Sequence, residues 1–365
     1  FTTHATVIGR CIAGNNLPLY DGLMDYNSDE KARQFNVMAR HSLEKRAAEY
    51  SDIFTTVSDL TAQECRQFLG RKVDVVTPNG FEPSFTPATE EEFELKREAA
   101  RKKLVEVASA MSGEDVPENA VLVGIGGRYE WKNKGIDVFI DALDKLNHTD
   151  FKGKCVHAFI MIPSGHNGPD KQLVAKLAGN ESNYVTSSSH YLMNAEYDNV
   201  TRRLNDLHLN NAAGDKVKVY FIPSYLNGND GVFNMPYYDL LAGLDLTLFP
   251  SYYEPWGYTP LESIAFGVPT ISSDKAGFGQ WIMSNFNNSF DDCGVKVVAR
   301  TDSNYDIAKE AIAGSILELV ELSDAELSEI RRKAMLTSSA ADWSKFIEKY
   351  NEAFCVAQNR RNVRN

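Results

Sequence analysis

The chain has 365 residues, of which 43% are hydrophobic and 24% charged, a composition typical of soluble folded proteins with up to two domains. Its formal net charge of −12 excludes a broad nucleic-acid-binding or anionic-membrane-binding surface. No apolar run is long enough to span a bilayer. The five cysteines are scattered without metal-ligand spacing, which indicates reduced thiols, a cytoplasmic location and no bound metal.

Residues 1–80 are predicted to be the carboxyl-terminal part of an α/β domain. The predicted elements are a strand-like run that ends near His4, a charged helical stretch over 28–50, and strands over 52–57 and 73–77. Thr61 and Glu64 have the spacing of a capping box that opens a short helix. Because the chain starts at Phe1, in the middle of this pattern, we interpret it as a truncated domain.

Residues 81–340 are predicted to form a Rossmann-like domain. An amphipathic helix over 89–111 starts with the capping box of Thr89 and Glu92. Apolar strands then alternate with helices, which predicts a doubly wound parallel sheet covered on both faces. The strands are expected at 121–125, 156–162, 217–222, 244–249, 268–272 and 295–298, and the helices at 136–147, 237–242, 261–266, 307–322 and 325–335.

Two further segments depart from this alternation. The polar segment near 165–215 is predicted to be a helical insertion. The last segment, 341–365, is predicted to be a terminal helix that crosses back onto the first domain.

Two acids flank the most informative motif, which runs from Ser251 to Glu262. Glu254 follows a predicted buried strand, and Glu262 is predicted to lie in the first turn of the next helix, with Pro260 near its first position. Ligands of open α/β sheets bind at this carboxyl edge. The helix N-terminus between the acids offers its amides to an anion, from Gly257, Tyr258 and Thr259. Acids beside an anion site suit a nucleotide sugar.

A basic loop, Gly126 to Gly135, follows another predicted strand and precedes a helix. It places Arg128 and Lys134 at the same sheet edge as Glu254. Fixed cations there stabilise the negative charge that develops on a departing nucleoside diphosphate. The glycines of this loop do not form a GxGxxG fingerprint, so a dinucleotide site is rejected.

Each of these features also has a purely structural interpretation. Glu262 can complement a helix dipole, Glu254 can be an ordinary loop acid, and a basic loop is often only a solvated surface. Tyr237, with its neighbour Tyr238, can stack on a base or pack in the core. A lone histidine such as His4 is more often a packed or capping residue than a catalytic one. The functional interpretation depends on the acids and cations lying together.

Four segments resemble the glycogen synthases of the eukaryotic, UDP-glucose-using type, and the chain looks like a bacterial relative. They are Ser251-Tyr-Tyr-Glu-Pro-Trp-Gly-Tyr-Thr-Pro, Gly127-Arg-Tyr-Glu-Trp-Lys-Asn-Lys-Gly, Phe1-Thr-Thr-His-Ala-Thr, and Phe54-Thr-Thr-Val-Ser with Val76-Thr-Pro-Asn-Gly. The resemblance runs from Phe1 to about Trp343. It implies a GT-B fold, here one Rossmann-like domain plus the tail of a second one, with the active site between the two.

The resemblance also implies roles for individual residues. Arg128 and Lys134 match the pair that holds the donor diphosphate, and Glu254 matches the acid at the donor sugar. In the donor-binding set, His4 matches a histidine of the sugar pocket, and Tyr237 matches an aromatic residue that stacks on the base. Gly257, Tyr258 and Thr259 match the phosphate cradle, and Glu262 matches the acid that binds the ribose.

The resemblance implies a retaining glucosyltransferase that elongates an α-1,4-glucan during glycogen synthesis. It implies a nucleotide-sugar donor, UDP-glucose, and an α-glucan acceptor as partners, with no cofactor or metal, and it leaves a homo-oligomer open. Two alternatives stay open: a related retaining GT-B enzyme with a small acceptor, such as a trehalose- or sucrose-type synthase, and a non-catalytic nucleotide-binding fragment. The arginine-dense helix of the eukaryotic enzymes corresponds to Ile330-Arg331-Arg332-Lys333, which is poorer in arginine.

Overall fold

A computed structural model describes residues 1–364 of the protein, and the side chains of residues 1–362. In this part of the chain the strands form a three-stranded sheet, a six-stranded sheet and a two-stranded sheet. None of the described helices is both long and apolar enough to cross a membrane.

The first sheet is parallel and has the order β1-β2-β3, from strands Thr2–Thr3, Thr55–Thr56 and Val75–Val76. The helices of this region are α1 (Val7–Gly14), α2 (Ser28–Gln34), α3 (Met38–Tyr50) and α4 (Asp59–Glu64), with a 3-10 turn at Leu23–Asp25 and a π-turn at Cys65–Leu69. The predicted helical stretch over 28–50 is therefore two helices, because Asn36 between them has a φ of 55°.

The capping box predicted at Thr61 and Glu64 is wrong. Ser58 caps α4, and its side chain accepts a 3.3 Å hydrogen bond from the Thr61 amide. Glu64 is instead the last residue of the helix, and it is buried. The capping residue predicted at Thr89 is confirmed, since its hydroxyl accepts a bond of 3.2 Å from the Glu92 amide.

The remaining strands, in chain order, are β4 (Val121–Gly126), β5 (Val156–Met161), β6 (His166–Pro169), β7 (His190–Leu192), β8 (Val217–Phe221), β9 (Leu246–Leu248), β10 (Thr270–Ser273) and β11 (Val295–Val298). All except β6 and β7 belong to the large sheet, which is parallel throughout and confirms the six predicted strands. β6 and β7 form a two-stranded antiparallel sheet inside the insertion, which was predicted to be helical.

The helices after the first region are α5 (Glu90–Ser112), α6 (Ile136–Asn147), α7 (Lys171–Leu177), α8 (Asn199–Asp206), α9 (Tyr237–Leu241), α10 (Tyr258–Ala265), α11 (Gly277–Asn285), α12 (Phe290–Cys293), α13 (Tyr305–Val320), α14 (Asp324–Ala340) and α15 (Trp343–Arg364), with 3-10 turns at Pro83–Phe85 and Ala195–Tyr197. Helices α11 and α12 were not predicted. Alternate residues of β4, such as Val123 and Leu122, enter different apolar clusters, so helices cover both faces of the sheet.

The order of the large sheet, β11-β10-β9-β4-β5-β8, contains one reversal. From β4 the chain proceeds outward through β5 to β8, and it then returns to the other side of β4 to add β9, β10 and β11. The loops that follow β4 and β9 therefore meet at a topological switch point, where ligands of doubly wound sheets bind.

The terminal helix α15 packs against the first sheet. Ala353 joins a small apolar cluster with Ile53 and Val75, and Arg360 forms a 2.7 Å ion pair with Asp74. The domain boundaries near residues 80 and 340 stay predictions.

Candidate active site

The loop after β9 that carries Glu254 is held by backbone hydrogen bonds to the segment before α11. The Glu254 amide donates to the Lys275 carbonyl at 3.3 Å, and the Glu254 carbonyl accepts from the Gly277 amide at 3.1 Å. A side chain at Gly277 would place its Cβ 2.4 Å from the carbonyl oxygen of Pro255. The close approach therefore needs glycine, and it fixes the backbone of Glu254.

The basic loop after β4 packs directly onto the segment that precedes Glu254. The carbonyl of Asn133 accepts hydrogen bonds from the amides of Tyr252 and Tyr253, at 3.0 and 3.2 Å. Gly135 has a φ of 71°, and a Cβ there would lie 2.2 Å from the carbonyl oxygen of Pro250. The two loops of the switch point therefore form one backbone-bonded unit.

Within this unit Lys134 and Glu254 form a salt bridge through Nζ and Oε2. Both side chains are only 16% exposed, so the pair is largely shielded from water and from salt. Lys134 therefore lies at the same sheet edge as Glu254, and the role predicted for it stays a prediction. A desolvated cation beside an acid at a switch point can stabilise separating charges on a bound ligand.

Arg128 does not join that pair. Its guanidinium lies 3.0 Å from Glu130, and the side chain is 65% exposed. Arg128 instead lines a cavity of about 390 Å³, together with Tyr237, Thr259 and Tyr225. The cation therefore lies at the rim of a cavity of the size that holds a small ligand.

Tyr237 starts α9 and packs its ring against the end of β4. A Cβ at Gly126 would lie 2.8 Å from the tyrosine ring, so glycine is needed for this contact. Burial raises the pKa of the Tyr237 hydroxyl, and this buried group has no hydrogen-bond partner among the described residues. An unpaired buried hydroxyl at a cavity wall is available to a ligand.

Helix α10 starts at Tyr258, earlier than the predicted start at Leu261. Gly257, with a φ of 112°, precedes it, and no side chain caps the helix. The amides of Tyr258 and Thr259 thus have no capping side chain, which suits an anion. Glu262 is the fifth helical residue, so the prediction that it lies in the first turn is wrong.

Tyr238 holds Glu262 in place, a contact that the sequence did not predict. The tyrosine hydroxyl donates a 2.8 Å hydrogen bond to Oε1 of Glu262, and the tyrosine ring stacks on Phe266 at 5.6 Å. Burial raises the pKa of Glu262, and the bond from Tyr238 opposes that rise. The acid therefore has a fixed direction and one oxygen that Tyr238 does not occupy.

His4 belongs to the region of the small first sheet, whereas the other predicted site residues lie in loops and helices around the large sheet. It follows β1, and it is exposed. The predicted set thus divides into a paired centre (Lys134 and Glu254), a cavity group (Arg128, Tyr237 and Thr259), a helix start (Gly257 and Tyr258), Glu262 with Tyr238, and His4. No group of three or more potential metal ligands converges within the described residues.

The sequence analysis missed Tyr225 and Leu226, which line the cavity beside Tyr237. They follow β8, so the rule that ligands bind at the carboxyl edge of the strands was a signal for this loop. The position of Tyr225 beside Arg128 depends on the strand order, which the sequence did not give.

The family model for glycogen synthase matches residues 1–178 and 171–363 of this chain. The chain belongs to the glycogen synthase family. It is 28% identical to glycogen [starch] synthase of Neurospora crassa, over 99% of this chain and 59% of that protein. It is 29% identical to glycogen [starch] synthase isoform 1 of Saccharomyces cerevisiae, over 97% of this chain and 59% of that protein. The chain therefore spans about three fifths of the length of these relatives.

The fold is similar to that of the catalytic domain of starch synthase IV from Arabidopsis thaliana, solved bound to ADP and acarbose. The TM-score is 0.53 at 15% identity, over 87% of this chain and 57% of that chain. This chain has a GT-B fold, as its structural neighbours show, so the predicted fold class is confirmed.

Proposed function

We propose that the protein is a retaining glucosyltransferase that extends an α-1,4-glucan with glucose from UDP-glucose. The Lys134–Glu254 salt bridge at the switch point supports this proposal most directly. It pairs a cation suited to a departing diphosphate with an acid suited to a developing glucosyl cation, in a site shielded from water. Membership of the glycogen synthase family supports the choice of donor and acceptor.

In the proposed reaction the bond between the anomeric carbon and the diphosphate oxygen breaks, and the negative charge passes to UDP. Lys134, Arg128 and the amides of the α10 N-terminus stabilise this charge. Glu254 stabilises the positive charge on the glucosyl group. The acceptor hydroxyl attacks from the same face, and its proton passes to a leaving-phosphate oxygen, so the configuration is retained without a protein nucleophile.

The rest of the donor is bound by the cavity and by α10. We assign the base to the cavity lined by Tyr237, where the aromatic ring is available for stacking. We assign the ribose hydroxyls to Glu262, whose second oxygen Tyr238 leaves free. We assign the donor glucose to the neighbourhood of Glu254, and we assign His4 to the same sugar pocket because of the resemblance to the glycogen synthases.

We also propose that the enzyme acts in the cytoplasm. All five cysteines are free in the structure, as expected for a protein kept in a reducing compartment. Four of them, Cys11, Cys65, Cys155 and Cys293, have a thiol pKa raised mainly by burial, so they are poor nucleophiles at neutral pH.

A transfer assay with the full-length protein tests this function. Radiolabelled UDP-glucose and ADP-glucose are offered separately with glycogen, with fructose 6-phosphate or with glucose 6-phosphate as acceptor. Incorporation of glucose from UDP-glucose into glycogen supports the proposal. Transfer only to a sugar phosphate would show a sucrose- or trehalose-type synthase, and nucleotide binding without transfer to any acceptor would show a binding module.

A further inference from the structure

One buried carboxylate, Glu64, joins the two segments that carry His4 and Glu254. It is 2% exposed, at the end of α4. Its Oε2 accepts a 2.6 Å hydrogen bond from the hydroxyl of Thr6 and a 3.3 Å hydrogen bond from the hydroxyl of Tyr253. A single oxygen therefore receives one donor from each segment.

The two donors to Glu64 lie close in sequence to two predicted site residues. Thr6 lies two residues after His4, and Tyr253 immediately precedes Glu254. Gly9 makes the approach possible, because a Cβ there would lie 2.0 Å from Oε2 of Glu64. The chain thus places a glycine where any other residue would push this carboxylate away from the joined segments.

A second buried carboxylate, Glu44, contacts the His4 loop and serves as a comparison for Glu64. Glu44 accepts a 2.7 Å hydrogen bond from the Thr3 hydroxyl and a 3.0 Å hydrogen bond from the Val7 amide, on either side of His4. Among the described residues Glu44 has no hydrogen bond to the segment of Glu254. Glu44 therefore supports the His4 loop alone, whereas Glu64 links that loop to the acid.

Burying a carboxylate costs folding free energy, and an apolar side chain would fill the same space at a lower cost in folding free energy. A carboxylate at this position therefore indicates that its hydrogen bonds have a function. Groups that act together on one substrate must be held to within about 0.5 Å. We propose that Glu64 is a positioning residue for the glucosyl transfer, and that it sets the distance between His4 and Glu254 through Thr6 and Tyr253. This inference rests on the proposed function.

Kinetics of the full-length protein test the link. Tyr253→Phe removes one donor, and Glu64→Leu removes the acceptor. Each should lower kcat for transfer from UDP-glucose to glycogen by about tenfold, the scale of one buried hydrogen bond, while the Kd for UDP changes less than twofold. Glu64→Gln keeps a carbonyl acceptor and should restore kcat to within about threefold of wild type.

A double-mutant cycle separates positioning from general support. Glu64→Leu combined with Tyr253→Phe should be no slower than Glu64→Leu alone, because both remove the same link. Glu44→Gln combined with Tyr253→Phe should multiply the two separate effects. Multiplicative effects in the first pair, or an unchanged kcat in both Tyr253→Phe and Glu64→Leu, would overturn the proposal.

A second readout does not depend on catalysis, and so it separates this inference from the proposed function. Tyr253→Phe changes a residue outside the His4 loop, yet it should speed hydrogen exchange of the amides of residues 3–7 several-fold. Unchanged exchange there would overturn the link even if the enzyme transferred glucose. Faster exchange in a protein without transferase activity would leave the link intact and refute the proposed function.

Discussion

Lys134 and Glu254 are 120 residues apart along the chain, yet their side chains form a salt bridge where the loops after β4 and β9 meet. The hydrogen bonds from Tyr252 and Tyr253 to the carbonyl of Asn133 hold the two loops together. The pair is therefore preorganised by the backbone, which is the condition under which fixed charges contribute most to a transition state.

Lys134→Ala should lower kcat by roughly two to three orders of magnitude in the full-length enzyme, the usual effect of losing one preorganised charge. Steady-state kinetics with UDP-glucose and glycogen measure it. Lys145→Ala is the matched control, because Lys145 also pairs with an acid, Glu310, but on the exposed surface. A similar loss in both variants would show that the effect is not specific to the switch point.

Substitutions of the two acids of the motif should change different kinetic constants. In the proposed mechanism Glu254 is the charge nearest to the glucosyl group, so Glu254→Gln should lower kcat while UDP affinity is kept. The proposed partner of Glu262 is a ribose that changes little in the reaction, so Glu262→Ala should mainly raise KM. Kinetics and UDP titration of both variants check this. A near-normal kcat in Glu254→Gln, or a lost kcat with unchanged KM in Glu262→Ala, would reverse our assignment.

Asp245 should be essential for stability. It is 3% exposed, immediately before β9, and it pairs with Arg97, Arg101 and Arg331 at 2.6 to 2.8 Å. Asp245→Asn leaves three guanidinium groups without their counter-charge, and the free energy of unfolding should fall by about 3–5 kcal/mol.

Chemical denaturation measures this loss. Asp239→Asn is the control, since Asp239 pairs with Lys96 at a 38% exposed position, where the expected change is under about 1 kcal/mol. Equal effects of the two substitutions would mean that the arginines do not depend on Asp245.

The free energy of unfolding of the wild type should fall between about pH 4.5 and 7 because of Glu64. Burial raises the pKa of this acid to about 7, against the hydrogen bonds from Thr6 and Tyr253, with Glu44 raising and Arg10 lowering it further. Below pH 4.5 the acid is protonated in both the folded and unfolded states. Above it the unfolded state loses its proton first, so unfolding becomes easier as the pH rises.

The expected loss is at most about 3.5 kcal/mol, from about 1.4 kcal/mol per pKa unit over the rise from 4.5 to about 7. Glu64→Gln has no proton to lose and should flatten this part of the stability profile. Denaturant titrations of both proteins at several pH values check it, and parallel profiles would contradict the raised pKa.

The repeating elements of this fold could be predicted because their signals are local. Continuous apolar runs gave all six strands of the large sheet, and the carboxyl-edge rule placed Lys134 near Glu254. Helix α11 was not predicted because it starts with Gly277-Phe278-Gly279, and glycines disfavour helix formation. Its helical form depends on packing against the Glu254 loop, which no local pattern shows.

The hydrogen-bond partners of side chains were harder to predict than the residues that lie at the carboxyl edge of the sheet. The spacing of Thr61 and Glu64 fits a capping box, but Ser58 takes that role, and Glu64 is drawn into a buried contact with Tyr253. Likewise the bond from Tyr238 to Glu262 joins two consecutive helices, α9 and α10, across a separation of 24 residues. Both contacts depend on tertiary packing, which overrides local pattern.

The central claim is retaining transfer of glucose to a glucan at the Lys134–Glu254 centre. Its most direct test is NMR of the product formed when the full-length protein receives UDP-glucose labelled with 13C at the anomeric carbon, together with glycogen. Our account predicts labelled α-1,4-linked residues at the non-reducing ends, at a rate greatly lowered by Lys134→Ala. Label in a β linkage, label only in a small sugar product, or undiminished labelling by Lys134→Ala would contradict it.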